Sequence, residues 1–60
     1  MEKLFKRGYK NSQGATLIYF KLWSRGALID EFEMYYKCVE ELEKDIETYT
    51  RMGYEVDISA

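Results

Sequence analysis

Cys38 is the one side chain in this sequence with real nucleophilic character, and nothing in the sequence equips it to react. The chain has a single cysteine and no histidine, while a reactive thiolate needs an electropositive setting or a partner base. Cys38 flanks a stripe of apolar residues, so packing is its expected role. One thiol without histidine also cannot assemble a structural zinc site. The eleven Asp and Glu residues are the other candidates for chemistry. Paired carboxylates act as acid and base where their surroundings drive their pKa values apart, and here they fall on faces that read as exposed. The expectation is a non-enzymatic chain with no cofactor and no metal.

Binding is the chemistry that remains. Thr16, Ile18, Phe20 and Leu22 alternate with Leu17, Tyr19, Lys21 and Trp23, so a strand here sends one set to each face. One helix covers one face of a sheet. The second set, continued by Arg25, is therefore expected on an uncovered face, where large apolar and aromatic groups mark a partner or self-association surface. Lys6, Arg7, Tyr9 and Lys10 offer a second reading. Basic residues interleaved with aromatic ones make a platform on which single-stranded nucleic acid stacks while cations follow its phosphates. Against it stands a pI near 5.0, since nucleic-acid binding domains are typically basic. Glu41, Glu43 and Asp45 form an acidic surface that could imitate a phosphate backbone, although a solvated helix face explains them more simply.

The elements that must position these residues are legible in the spacing. Phe32, Tyr35, Val39, Leu42, Ile46 and Tyr49 recur three and four apart, which predicts an amphipathic helix over 31–52. Asp30 stands as N-cap with Glu33 three residues on, in a capping box stapled by Ile29 and Met34. Gly53 is placed for the left-handed C-cap. Tyr35, Tyr36 and Cys38 then lie in or beside the buried stripe. Glu33–Lys37, Glu40–Lys44 and Glu47–Arg51 form acid-first i,i+4 pairs on the other side. Ahead of the helix, Lys3–Lys10 and Ala15–Trp23 read as two strands joined through Asn11-Ser12-Gln13-Gly14, a hairpin over 3–23. Beyond Gly53, residues 54–58 alternate as a third strand. The fold expected is α+β in the order ββαβ: a single domain, with a mainly antiparallel three-stranded sheet carrying one long helix on one face. The last strand either pairs antiparallel with the first or joins the second, in which case that pair is parallel.

Composition sets the outer bounds. Sixty residues, 47% of them hydrophobic and 17% aromatic, supply a core, yet a chain this short buries only about 60% of the surface its unfolded form exposes. Disulfides being excluded, self-association is a natural source of further stability, so a homodimer is one expected state. No stretch is apolar for long enough to span a bilayer, none reads as a signal peptide, and the lone cysteine suits a reducing compartment. These features point to the cytoplasm and away from membranes. Charge is segregated: residues 1–25 hold Lys3, Lys6, Arg7, Lys10, Lys21 and Arg25 against Glu2, a balance of +5. Residues 26–60 hold three basic groups against ten acidic ones, −7, which returns the net −2. Size, segregated charge and the want of catalytic groups point to a small protein-binding module, an adaptor or inhibitor of a larger macromolecule. The composition, rich in Lys, Glu and Tyr and free of proline, suits a bacterial, phage or mobile-element reading frame. The alternatives are a single-stranded nucleic-acid binder and a purely structural homodimer.

Overall fold

The computed structural model describes residues 2–60. The described elements run α1 (Glu2–Arg7), β1 (Thr16–Ser24), β2 (Ala27–Tyr36), α2 (Val39–Arg51) and β3 (Glu55–Ser59). The three strands form one antiparallel sheet in the order β2-β1-β3. The α+β class and the three-stranded antiparallel sheet agree with the sequence reading, but two of its elements are replaced.

The first replacement is at the start. Residues 3–10 do not form a strand, and the hairpin expected over 3–23 is absent. Glu2–Arg7 is a short helix with its acid in the first turn and Lys6 and Arg7 in the last, the arrangement that complements the helix dipole. The Gly8 amide donates to Leu4 O at 3.2 Å and closes it. Residues 8–10 then run extended beside the start of β1: the Leu17 amide donates to Tyr9 O at 2.8 Å, and Lys10 makes an isolated bridge with Thr16. Gly8 permits this approach, because a Cβ there would collide with Thr16 Cγ2 and crowd Leu17 O. The Asn11–Gly14 turn survives as a connection into β1. Asn11 Oδ1 accepts from the amides of Gln13 (2.9 Å) and Ala15 (3.0 Å), and Gly14 takes φ 79°.

The second replacement is in the middle. The helix expected over 31–52 is a strand up to Tyr36 and a helix from Val39. Arg25 and Gly26 have φ 52° and 79°, the two positive values of a type I′ turn, whose twist suits a tight hairpin. That turn sets Ser24 opposite Ala27 and carries β2 back along β1. Residues 31–36 satisfy two periods at once: Phe32, Tyr35 and Val39 fit a helix, while Phe32, Met34 and Tyr36 alternate as a strand. The hairpin settles the competition, because pairing with β1 satisfies every second backbone group and stacks Phe32 on Phe20, ring centroids 5.0 Å apart and 8° from parallel. Asp30 therefore caps no helix; its carboxylate accepts from the Glu31 amide at 2.9 Å. Cys38 is the actual N-cap, extended at φ −143° and without a side-chain cap bond. Of the three i,i+4 pairs, Glu47–Arg51 is the ion pair formed among the described residues, and Glu33 lies on β2.

The C-terminal end of α2 is closed at Gly53, φ 97°. Tyr54 N donates to Tyr49 O at 3.2 Å and Gly53 N to Thr50 O at 3.0 Å, the paired bonds of a Schellman motif. Because β2 is interposed, the chain enters β3 antiparallel to β1; Phe20 faces Ile58 and Leu22 faces Val56. The last strand thus joins the Ala15–Trp23 segment without the parallel pairing expected for that arrangement.

The core lies between the sheet and α2. Ile18, Phe20, Tyr36 and Leu42 are its buried centre, with Phe5, Phe32, Ile46, Tyr49, Val56 and Ile58 packed around them. Phe20, Phe32, Tyr36 and Tyr49 pack as one aromatic cluster across β1, β2 and α2. Burying side chains of this kind contributes about 1.5–3 kcal/mol each. Tyr36 Oη donates to Asp45 Oδ2 at 2.7 Å and ties the helix to the end of β2. Burial, reinforced by that hydrogen bond to a carboxylate, pushes the Tyr36 phenol above its usual range.

Candidate binding face

The period-two alternation of β1 determines which side chains are left outside. Ile18, Phe20 and Leu22 turn inward, whereas Tyr19 and Lys21 are exposed on the opposite face. Pairing then chooses their neighbours. Tyr19 stands opposite Glu33 on β2 and Ser59 on β3; Lys21 stands opposite Glu31 and Asp57. Leu17 faces Tyr35, and Trp23 faces Glu55. The twist of the strands hollows this face into an open concavity of about 620 Å³ bordered by Tyr19, Lys21, Glu31, Glu33, Asp57 and Ser59. Lys21 is thus flanked by Glu31 and Asp57, with Glu33 and Glu55 one pair further along the sheet, and the face is acidic.

The residues singled out from sequence are placed as follows. Tyr19 and Lys21 share the open face. Leu17 does not offer contact area: it is 8% exposed, because residues 8–10 pass alongside it. Trp23 is half-buried at an irregularity where the register steps from Leu22–Asp30 to Trp23–Leu28 and leaves Ile29 over. Its indole Nε1 is buried without a hydrogen-bond partner. Arg25 is at the tip of the hairpin. Lys6 and Arg7 lie on α1 and Tyr9 and Lys10 on the segment after it, so no basic aromatic hairpin brings them together with Tyr19 and Trp23. Lys10 Nζ is instead 5.8 Å from the Phe5 ring centre and 3.4 Å from Thr16 Oγ1. On α2, Glu41 and Glu43 are exposed, but Asp45 is half-buried and holds the Tyr36 hydroxyl.

Sequence reasoning missed Glu31 and Glu33, having assigned them to a helix surface. Their alternation with Phe32 and Met34 was the available signal. It also missed the exposure of β2. This strand lies at one edge of the sheet, and Leu28, Ile29, Met34 and Tyr35 are each 44–52% exposed along it.

Among the described residues, no group of three Cys, Asp or Glu side chains converges as a metal site, and no helix is long and apolar enough to cross a membrane. Comparison with protein-family models, with curated proteins and with solved structures finds no match.

Proposed function

We propose that this chain is a non-enzymatic protein-binding module, an adaptor or inhibitor that docks on a larger macromolecule through its open sheet face and the β2 edge. The observation that carries the reading is the exposure of Tyr19 and Tyr35 on the sheet face opposite α2 and of Leu28, Ile29 and Met34 along the β2 edge beside it. Contiguous exposed apolar and aromatic side chains rimmed by charge are the usual composition of a protein interface. A bacterial or phage source suits such a role for so short a chain.

Charge argues against nucleic acid on the same face. Four carboxylates on the face that carries Lys21 repel phosphates, whereas the basic groups on α1 and after it stand beside Tyr9 but apart from Tyr19 and Trp23, so the extended row of rings a stacking platform needs is not assembled. The two ligand classes are separated by capture from bacterial lysate with and without nuclease, using wild type and Tyr19→Ala as baits. The expected result is a nuclease-resistant protein partner that the Tyr19→Ala bait fails to retain. Retention of nucleic acid, or a partner held equally by both baits, contradicts the reading.

A further inference from the structure

We infer that the partner element is an extended, basic segment of another protein, added antiparallel to the free edge of β2 as a fourth strand. This deepens, and rests on, the reading of the open face as a docking surface. β2 spans ten residues at the sheet edge, twice the length of β3 at the other. Its outward backbone donors and acceptors pair with no strand among the described residues, and an exposed edge of this kind is a template for strand addition.

The side chains along that edge say which strand fits. On the concave face β2 presents Glu31, Glu33 and Tyr35; on the helix-side face it presents Phe32 and the exposed Met34. A second copy of this chain is a poor occupant over the middle of β2. Two-fold antiparallel pairing centred on any of residues 30–33 sets Asp30, Glu31 or Glu33 opposite its own copy, or Glu31 opposite Glu33, and like charges directly across strands are destabilising. The same charges favour a strand with arginine or lysine at alternate positions. Its basic groups would lie across from Glu31 and Glu33 and over the ring of Tyr35, while its other side chains cover Met34. Lys21 is flanked by Glu31 and Asp57 within the sheet, so the carboxylate at Glu33 is the freest to take up an added cation.

The test uses the full chain and defined peptides: a ten-residue arginine–threonine alternating peptide, its glutamate–threonine counterpart, and the arginine peptide N-methylated on alternate amides in each of the two phases. Fluorescence anisotropy reads affinity and amide hydrogen exchange reads the site. The arginine peptide should bind, slow exchange at residues 27–36 and not at residues 55–59, and weaken at least about tenfold when methylated in one phase, the effect of losing one or two backbone hydrogen bonds. The double variant Glu31→Lys/Glu33→Lys, both exposed, should prefer the glutamate peptide. Equal binding of both N-methylated forms would reduce the interaction to charge attraction and overturn strand addition, as would protection confined to β3, or sedimentation as a dimer paired through β2. Absence of peptide binding together with a Tyr19-dependent protein capture overturns this inference while leaving the docking reading intact; loss of Tyr19 dependence overturns that reading itself.

Discussion

Tyr36 shows at the residue scale how one side chain serves two layers. Its ring belongs to the aromatic cluster, and its hydroxyl donates to Asp45 on α2. Removing the hydroxyl in Tyr36→Phe should cost about 1 kcal/mol at neutral pH, the usual net value of such a bond. The raised pKa adds a pH signature. The folded chain holds the phenolic proton more tightly than the unfolded chain, in which tyrosine ionises near pH ~10. This contribution is complete below that pH and is lost as pH rises through the folded-state value. Urea midpoints at pH 7 and 10.5 should therefore fall more steeply for the wild type than for Tyr36→Phe; parallel declines would show that the phenol is not held in its neutral form. Tyr36 was legible in sequence as a packing residue. Its bond to Asp45 was not, because Asp45 was grouped with Glu41 and Glu43 by charge alone, and sequence spacing does not say which carboxylate of a helix turns toward a sheet.

At the scale of elements, the legible parts were those with local punctuation. Gly53 needs a positive φ, and the helix ends there; the alternation from Thr16 to Leu22 leaves no choice of structure. Residues 31–36 were misread because helix and strand periods coincide in them and a long-range pairing decides between the two, where local propensity is a weak guide. The same ambiguity hid the real start of α2. Cys38 occupies the N-cap with extended backbone and contributes no side-chain cap bond. Cys38→Ser should therefore stabilise the protein by about 0.5–1 kcal/mol, since serine oxygen can accept a first-turn amide. Chemical denaturation checks this, and an unchanged or lowered midpoint would mean that packing of the half-buried thiol outweighs the missing cap.

For the whole molecule, segregation of charge along the sequence does not become two opposed surfaces on a hairpin. The basic N-terminal residues are drawn into α1 and the segment after it, while the acidic residues of β2 and β3 share the sheet face of Lys21. The basic platform that the sequence offered as an alternative is thereby replaced by an acidic concave face, and the protein partner proposed for this face becomes a basic one. Everything proposed for that face depends on Glu33 lying across from Tyr19 and Glu31 across from Lys21. Nuclear Overhauser effects between these strands, read together with 13Cα shifts over residues 27–36, measure it directly. The expected result is extended-chain shifts throughout, with cross-strand contacts pairing Phe20 with Phe32 and Ile18 with Met34. Helical shifts over residues 31–36, with sequential amide contacts and no link to β1, would return Glu31 and Glu33 to a helix surface and remove the acidic face.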